Sequence, residues 1–328
     1  MHRVIITDFI HDDLLPERTV LSEIATVEAL DAHNEDAFVG RIESANAIMM
    51  YHNISLTRWT IERLQNCKLI VRCGVGFDNV DYKFARQRGI PVANVPDYGT
   101  DEVADSAIGM MLTMVRGIHL YNTRMREHPT PWMYTVAGPL YRLRSKTFAV
   151  IGLGRIGTAA ALRAKALGMD VVFYDPYKQD GYDKAIGIRR AESLEELLKQ
   201  AFVLSVHCPL STETNNMINA DAMAQLSMGA YLVNTARGAI VDTSAIPDAI
   251  ASGRLAGAAI DVLVGEPPLP DNPLLVAWRD PKHPAYERLI VNPHAAFYSE
   301  QGLMDMRIKG VDACRRALLG LELRNVIN

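Results

Sequence analysis

The chain has 328 residues, of which 49% are hydrophobic and 22% are charged, and its formal net charge is −4 at pH 7. This composition excludes a disordered chain and a small disulfide scaffold, and the length predicts about two domains. A mildly acidic chain has no net positive field for phosphate backbones or anionic lipids. We therefore expect no nucleic acid and no membrane as a direct partner.

The cysteine content and the hydropathy pattern indicate a cytoplasmic protein. No apolar run approaches the ~20 residues of a membrane helix, and the acidic residues near Met1 do not fit a signal peptide. No C-x-x-C pair occurs, which favours a reducing compartment and no metal site. The four cysteines are Cys67, Cys73, Cys208 and Cys314.

Short apolar, β-branched runs alternate with helical patterns along the whole chain. Strands are predicted at residues 4–7, 24–27, 47–50, 69–73, 92–95, 148–151, 170–174, 203–206, 231–234, 258–262 and 289–292. Helices are predicted at residues 56–64, 80–88, 101–120, 158–167, 194–200 and 245–252, and irregular stretches at 127–139 and 265–284. The strands are continuous apolar runs, as in parallel strands covered on both faces. The pattern predicts an α/β fold with two parallel sheets.

One glycine-rich segment, Val150-Ile-Gly152-Leu-Gly154-Arg-Ile-Gly157, lies between a predicted strand and a predicted helix. In a dinucleotide-binding turn, the first glycine permits the tight bend, the second admits the pyrophosphate, and the third allows close helix packing. Arg155 and Ile156 lie at the helix N-terminus, where free N–H groups face phosphate. The alternative is a glycine-rich turn without a ligand, but the strand–turn–helix context favours dinucleotide binding.

Asp175 directly follows the next predicted strand and lies 18 residues beyond Gly157 (175 − 157). A carboxylate at this position accepts hydrogen bonds from the adenosine ribose and repels a 2′-phosphate, which predicts NAD(H) over NADP(H). The alternative is that Asp175 only caps a loop.

Three charged or titratable side chains, Arg237, Glu266 and His294, follow the carboxyl ends of later predicted strands, where open α/β sheets bind ligands. A guanidinium can hold a carboxylate and polarise the adjacent carbonyl. An imidazole can exchange the proton of a hydroxyl, and a carboxylate beside it orients the ring. Taken singly, the three side chains also fit a surface arginine, a loop charge and a loop histidine; the ordered set favours acid/base chemistry.

At these residues the chain resembles the D-isomer-specific 2-hydroxyacid dehydrogenase family, over nearly its full length. The resemblance implies NAD-dependent interconversion of a D-2-hydroxy acid and its 2-oxo acid. Arg237 would bind and polarise the substrate, and His294 would be the acid/base with Glu266 as partner. The implied cofactor contacts beyond the glycine loop are Asp175, Cys208, Pro209, Thr235, Ala236, Asp261 and Val103. For Cys208 alone, any small buried residue would serve equally.

The resemblance also implies two Rossmann-like or flavodoxin-like lobes, the cofactor lobe inserted into a discontinuous substrate lobe. Residues 1–97 and 296–328 would form the substrate-binding domain. Residues 98–295 would form the NAD-binding domain, with an arm at about 116–141 that builds a homodimer. The cleft between lobes would hold the substrate.

Within the family, the chain is most similar to the C-terminal-binding-protein corepressor branch and its bacterial relatives. This similarity makes an NAD(H)-sensing scaffold with little turnover the alternative function. The corepressors carry tryptophan where this chain has Phe297, so the expected pocket differs in shape. Trp278 either roofs the pocket or covers an apolar surface. The implied substrate-binding residues are Arg72, Gly74, Val75, Gly76, Tyr51, His52 and Phe297.

Overall fold

The computed structural model describes all residues 1–328, which form two compact units. The first unit contains residues 1–99 and 298–328, and the second contains residues 100–297. The chain therefore leaves the first unit and returns to it near its end. Each division falls two residues beyond the boundary expected from the sequence (99 against 97, and 297 against 295).

The first unit is a five-stranded parallel sheet in the order β2-β1-β3-β4-β5. Its strands are β1 (His2–Ile6), β2 (Ala25–Ala29), β3 (Ala47–Met50), β4 (Ile70–Arg72) and β5 (Val92–Asn94). Its helices, numbered along the whole chain, are α1 (Leu15–Leu21), α2 (Arg58–Ile61), α3 (Tyr82–Gln87) and α12 (Glu300–Leu318). The order is that of flavodoxin-like sheets. Because α12 packs on β3 and β4, the C-terminal segment completes this unit.

The second unit is a seven-stranded parallel sheet in the order β12-β11-β10-β9-β6-β7-β8. Its strands are β6 (Thr147–Ile151), β7 (Asp170–Tyr174), β8 (Arg189–Arg190), β9 (Val203–Val206), β10 (Ala230–Asn234), β11 (Leu255–Ile260) and β12 (Leu289–Val291). Its helices are α4 (Thr100–Val115), α5 (Ile118–Glu127), α6 (Arg155–Ala166), α7 (Tyr182–Ile186), α8 (Leu194–Gln200), α9 (Ala220–Gln225), α10 (Ile246–Ala251) and α11 (Pro273–Arg279). This is the doubly wound order of dinucleotide-binding sheets. The predicted fold class is confirmed in both units.

Neighbouring residues of the second sheet point into two different cores. In β6, Ala149 and Ile151 belong to one buried cluster, while Phe148 and Val150 belong to the cluster on the opposite face. Because side chains alternate between the faces of a strand, both faces must be apolar to be covered by helices. This is why the strands appear in the sequence as continuous rather than alternating apolar runs.

Two sequence predictions are corrected by the structure. The single helix expected at residues 101–120 is two helices, α4 and α5, because Gly117 adopts a left-handed φ of +63° between them. The stretch expected to be irregular at residues 265–284 contains α11. This helix forms because the Asn272 side chain accepts hydrogen bonds from the N–H groups of Leu274 and Leu275, and Pro273 occupies the first turn.

No helix in the structure has both the length and the apolar character needed to cross a bilayer.

Candidate active site

The glycine loop connects β6 to α6, and two of its glycines are required by close contacts. Gly152 has a φ of +84°, and a Cβ there would lie 2.6 Å from the backbone nitrogen of Cys208. A Cβ at Gly157 would lie 2.0 Å from the carbonyl oxygen of Gly152. These clashes explain why the sequence has glycine at the bend and where the helix meets the strand.

Gly154 differs from the other two glycines, because nothing lies within 4 Å of a Cβ built there. It is the N-cap residue of the 12-residue helix α6, and no side chain caps the helix. The first N–H groups of α6 therefore have no side-chain acceptor at the cap, and the space beside Gly154 is open. A cofactor pyrophosphate fits this arrangement, since it would supply the missing acceptors and negative charge. Arg155 and Ile156 lie in this first turn.

The Asp175 carboxylate braces the glycine loop. Its Oδ2 accepts a hydrogen bond from the N–H of Leu153 at 2.8 Å, and its Oδ1 accepts one from the N–H of Tyr177 at 3.0 Å. The loop-cap alternative thus describes part of what Asp175 does. The structure also places this carboxylate beside the glycine loop, and its contact with a ribose stays a prediction.

Cys208 and Pro209 follow β9 and lie beside the glycine loop. The Cys208 side chain is buried, and burial raises the pKa of its thiol to about 12. A thiol with such a pKa stays protonated, so Cys208 contributes packing rather than nucleophilic chemistry. The role of Cys208 and Pro209 as cofactor contacts stays a prediction.

His294 and Glu266 form a direct pair at the carboxyl edge of the second sheet. The Nδ1 of His294 lies 2.6 Å from Oε2 of Glu266, and Oε1 of Glu266 accepts the N–H of Leu263 at 2.7 Å. The carboxylate therefore orients the imidazole ring through Nδ1. The pairing predicted from the sequence is present in the structure.

Arg237 follows β10, the strand next to β11 in the sheet. Its Nη1 donates to the carbonyl of Ala236 at 2.8 Å, and Gly238 is required because a Cβ there would lie 2.1 Å from the carbonyl carbon of Leu263. The buried Asn234 side chain accepts the N–H of Ala236 and donates to the carbonyl of Arg237. Sequence reasoning did not assign Asn234 this positioning role, although it lies in the same motif.

Thr235, in the same turn, carries one of only two buried side-chain polar atoms without a hydrogen-bond partner. A buried hydroxyl without a partner costs about 1–3 kcal/mol. Its Oγ1 is therefore suited to a bound group that supplies the partner, which fits the predicted cofactor contact.

Asp261, which follows β11, holds the loop that carries His294. Its carboxylate accepts hydrogen bonds from the N–H groups of Ala295 at 2.9 Å and Ala296 at 3.1 Å, and its carbonyl accepts the N–H of His294 at 2.7 Å. His294 adopts a φ of +53°, which is uncommon outside glycine. Burial raises the pKa of Asp261, while the two N–H bonds oppose that rise.

Two more predicted residues lie in the second unit. The Val103 side chain is buried in the first half of α4. The Phe297 ring contacts the His294 ring edge-on, with centroids 6.1 Å apart. Phe297 is thus an immediate neighbour of the predicted acid/base, although it was predicted as a substrate contact. Trp278 packs at the edge of the core cluster that contains α11, which favours its role as a cover over apolar surface.

Arg72 ends β4 in the first unit, and its guanidinium is buried. Its Nε donates to the side chain of Asn79 at 3.3 Å and its Nη1 to the carbonyl of Cys73 at 3.2 Å. Gly74 has a φ of +149°, and a Cβ there would lie 1.7 Å from Nη1 of Arg72. The guanidinium therefore occupies the space that a side chain at Gly74 would need.

The turn at Val75 and Gly76 is held by Asn94, whose side chain donates to the carbonyl of Val75 at 2.7 Å. Neither Asn79 nor Asn94 was assigned a role from the sequence. No local sequence pattern indicates which backbone group an amide side chain will bind.

Tyr51 and His52 follow β3 and surround Phe9. The Phe9 ring centroid lies 5.3 Å from that of Tyr51 and 4.8 Å from that of His52. The Tyr51 side chain is 0% exposed, and burial raises the pKa of its hydroxyl. The structure therefore places Tyr51 in the interior of the first unit.

No group of three or more His, Cys, Asp or Glu side chains is arranged to hold a metal ion. All four cysteines are free thiols.

The second sheet is doubly wound, its glycine loop fits a pyrophosphate, and a histidine–carboxylate pair lies at its carboxyl edge. The sheet and the loop define a dinucleotide-binding protein. Residues 108–296 match the family description "D-isomer specific 2-hydroxyacid dehydrogenase, NAD binding domain". The chain belongs to this family. The resemblance inferred from the sequence is confirmed.

Two curated relatives are 31% identical to the chain. C-terminal-binding protein 1 of Caenorhabditis elegans matches over 94% of this chain and 42% of its own length. D-3-phosphoglycerate dehydrogenase of Methanocaldococcus jannaschii matches over 100% of this chain and 60% of its own length. The chain therefore spans about half the length of these relatives.

Similar solved structures cover nearly the whole chain. The D-lactate dehydrogenase of Aquifex aeolicus, solved with NAD and lactic acid, has a TM-score of 0.86 and 28% identity, and the match covers 97% of this chain and 96% of that one. The similarity supports the same two-sheet fold in both proteins.

Proposed function

We propose that the protein is an NAD(H)-dependent oxidoreductase that interconverts a D-2-hydroxy acid and its 2-oxo acid. The observation that carries the proposal is the pair of His294 and Glu266, 2.6 Å apart, in the unit that carries the glycine loop. An acid/base pair of this kind is what carbonyl reduction by hydride transfer requires besides the cofactor.

Each residue of the proposed site has a distinct role. When bound, the nicotinamide cofactor supplies or accepts the hydride. Arg237 binds the substrate carboxylate and polarises the adjacent carbonyl. Nε2 of His294 donates a proton to the oxygen of the reduced carbonyl, or accepts that proton in the oxidation direction. The Glu266 carboxylate holds Nδ1 and stabilises the imidazolium in either direction.

The proposed cofactor is NAD(H) rather than NADP(H). The Asp175 carboxylate beside the glycine loop supports this preference, because it would repel a 2′-phosphate. The proposed contacts are the glycine loop with Arg155 and Ile156, together with Val103, Asp175, Cys208, Pro209, Thr235, Ala236 and Asp261.

We further propose that the first unit contributes the groups that select the substrate. The buried Arg72 guanidinium, behind the Gly74–Gly76 turn, is the strongest candidate for a second cation on the substrate carboxylate. His52 keeps the proposed role at the border of the substrate site, in the aromatic cluster that it forms with Phe9. Tyr51, which is buried, would act by supporting that cluster rather than by touching the substrate.

A homodimer built through residues 116–141 is also proposed. Large side chains exposed along this segment support it, among them Trp132, 82% exposed, and Tyr134, 78% exposed. Exposed apolar patches of this kind mark protein interfaces. The molar mass in solution tests this proposal.

The activity is tested by NADH oxidation with glyoxylate, hydroxypyruvate, pyruvate, phenylpyruvate and 4-methylthio-2-oxobutyrate. We expect at least one of these acids to be reduced. His294→Ala should lower kcat by about 10²–10⁴-fold with NADH binding retained, since general acid–base catalysis contributes about that much.

Tight NADH binding without reduction of any acid would overturn the proposed enzymatic activity. It would favour the alternative, an NAD(H)-sensing binding protein. The similarity to C-terminal-binding protein 1 is the observation behind that alternative. Unchanged turnover in His294→Ala would remove His294 from its role.

A further inference from the structure

Phe9, which follows β1 in the first unit, has a backbone conformation that bulky residues rarely adopt. Its φ is +70°, and the N–H of Ile10 donates a hydrogen bond to the carbonyl of Asp8 at 2.8 Å. Phe9 is therefore the central residue of a γ-turn with positive φ, which is the rare and strained form of this turn. Backbone strain of this kind persists only where the surrounding structure imposes it, and it is concentrated at functional sites.

Complete burial of the Phe9 ring does not explain the strained turn. Asp8 and Ile10, on either side of Phe9, are buried, whereas Phe9 itself is only partly buried. A phenylalanine that only filled the core would lose most of its exposed surface on folding. The turn instead keeps part of the ring exposed beyond the carboxyl end of β1.

At this edge of the first sheet, the Phe9 ring stands against the segment that follows β3. Its two ring neighbours, His52 and Tyr51, are both tilted against it. Tyr51 is buried, but His52 is partly exposed like Phe9, so these two rings form the exposed part of the cluster. Strand β4, the neighbour of β3, ends at the same edge with Arg72, the proposed second cation for the substrate carboxylate.

The Asp8 carboxylate fixes the segment that carries His52. Its Oδ1 accepts hydrogen bonds from the N–H of Tyr51 at 2.9 Å and from the hydroxyl of Thr7 at 2.6 Å. Its Oδ2 accepts one from the N–H of Asn53 at 2.9 Å. Because Asp8 is 0% exposed, its carboxylate depends on these hydrogen bonds in place of water. One carboxylate next to the strained turn thus holds the backbone on both sides of His52.

We propose that Phe9 is a specificity-determining residue that selects the side chain of the substrate. The rings of Phe9 and His52 form an aromatic wall against which the apolar side chain of a 2-oxo acid packs. Asp8 is the positioning residue that holds this wall. The wall limits the size of that side chain, since packed aromatic rings yield little space. The inference rests on the proposed function, because it assigns substrate selection at the same site.

The test compares pyruvate and phenylpyruvate, two acids with side chains of different size. Steady-state kinetics with NADH give kcat/KM for each acid in the wild type and in Phe9→Gly. Loss of the phenylalanine ring opens space that the phenyl group of phenylpyruvate can fill, whereas the methyl group of pyruvate gains nothing. The ratio of kcat/KM for phenylpyruvate to that for pyruvate should therefore rise by about tenfold or more, because one methylene already changes such ratios by about 10–200-fold.

A second measurement needs no turnover. Isothermal titration of the complex with oxidised NAD, which has no hydride to give, yields dissociation constants for the same two acids. Phe9→Gly should shift their ratio by about tenfold or more in favour of phenylpyruvate.

Phe9→Ala and Phe84→Ala complete the set of variants. Phe9→Ala removes the ring but keeps a side chain in the strained turn. It should shift the ratio as Phe9→Gly does and melt at a lower temperature, because glycine adopts positive φ readily. The matched control is Phe84→Ala, since Phe84 is a partly buried phenylalanine of α3 in the same unit. It should keep the wild-type ratio.

Asp8→Asn tests the positioning role. The asparagine amide places an NH2 group opposite one of the donors that the carboxylate bonds, so the His52 segment loosens. KM for the acid that the wild type reduces best should rise about tenfold, while kcat and the affinity for NADH change by less than about threefold. A purely structural role for Asp8 would lower the melting temperature and leave KM unchanged.

An unchanged ratio in Phe9→Gly would overturn the inference and leave the proposed function intact. An equal shift in Phe84→Ala would also overturn it, because the effect would then not depend on the position of the ring. A wild-type protein that reduces no 2-oxo acid would overturn the proposed function, while the titration would still test the wall. Absence of saturable binding of either acid in that titration would overturn the wall as well.

Discussion

The two oxygens of Asp175 each accept a hydrogen bond from a backbone N–H, one from Leu153 and one from Tyr177. This carboxylate therefore both holds the shape of the glycine loop and places a negative charge beside it. Asp175→Asn retains one side-chain acceptor and removes the negative charge. We expect KM for NADPH to fall about tenfold or more, because removal of an adjacent like charge is worth more than about 1 kcal/mol at partly buried sites. KM for NADH should change much less. Steady-state kinetics with both cofactors provide the measurement.

The control for this substitution is Asp221→Asn, an exposed aspartate in the first turn of α9. It should leave the NADPH to NADH ratio unchanged. If the wild-type protein already used NADPH as well as NADH, Asp175 would have no role in discrimination between the cofactors.

His207 predicts how stability depends on pH. Burial lowers the pKa of its imidazole to about 4, and Nε2 lies 2.8 Å from the Ser205 hydroxyl. In the unfolded chain, the imidazole of His207 titrates near pH 6.5. Between pH 6.5 and about 4, the unfolded state therefore binds more protons than the folded state. The free energy of unfolding should therefore fall as pH falls through this window, by up to about 1.4 kcal/mol per pH unit from this residue.

The measurement is urea unfolding of wild type and His207→Asn at pH 7 and pH 5. The variant should lose less stability on acidification, because its side chain does not titrate. Equal losses in the two proteins would mean that His207 is solvated or protonated in the folded state.

At the scale of elements, one buried arginine joins α12 to α1 and to the loop before it. The Arg307 guanidinium, 5% exposed, donates to both carboxylate oxygens of Glu17, each at 2.7 Å, and to both of Asp12 at 2.6 and 2.9 Å. The guanidinium holds the pKa of Asp12 below its usual range. Since Glu17 is 0% exposed, each charge of this buried pair depends on the other.

Glu17→Leu should destabilise the first unit by about 3–5 kcal/mol, because it leaves Arg307 buried with one partner fewer. The double variant Glu17→Leu/Arg307→Met should recover most of that loss, since an apolar pair of similar volume replaces a buried ion pair at little cost. Urea unfolding followed by circular dichroism measures both effects.

Lys309→Gln serves as the control, because it removes a more exposed pairing of the same helix with Asp97 and Asp305. It should change stability by no more than about 1 kcal/mol. A double variant less stable than Glu17→Leu would contradict this account. It would show that the ion pair itself stabilises α12, and that the loss in Glu17→Leu is not the cost of an unpaired buried charge.

Local sequence patterns predicted the bounds of several strands but missed one helix end and one short helix. The strands at 47–50, 170–174 and 203–206 have the predicted bounds. In the second and third of these, the apolar run ends at Asp175 and His207. The break after α4 was missed, because Gly117 within an apolar helical pattern is compatible with either a helix or a left-handed turn. Helix α11 was missed because its prolines lie in the first turn and flank it, where they stop no helix.

At the scale of the whole molecule, the candidate site was predictable wherever it follows the carboxyl ends of parallel strands. Arg237 follows β10 and His294 follows β12, the two strands that flank β11, and the parallel order brings both residues to one edge of the sheet. The supporting contacts were not predictable. Asp261 holds the His294 loop through backbone N–H groups, and such contacts depend on how loops fold against each other rather than on local sequence.

The division of the chain leads to a prediction about which part folds alone. The second unit is one continuous segment with a complete seven-stranded sheet and a buried core on each face. The first unit needs both chain segments, since α12 packs on β3 and β4, and Ala93 of β5 pairs with Val326 near the C-terminus. A fragment of residues 100–297 should therefore unfold cooperatively, whereas a fragment of residues 1–99 should not fold.

The fragment 100–297 should also bind NADH, because it retains every proposed cofactor contact. Its affinity should lie within about tenfold of that of the full chain, which is a change in binding free energy below ~1.4 kcal/mol. Circular dichroism melts and NADH fluorescence titration measure the two properties. Residues 1–297, which lack α12, should keep the second-unit transition and lose the first. A fragment 100–297 that is unfolded, or folded but unable to bind NADH, would mean that the cofactor unit depends on residues outside its own segment.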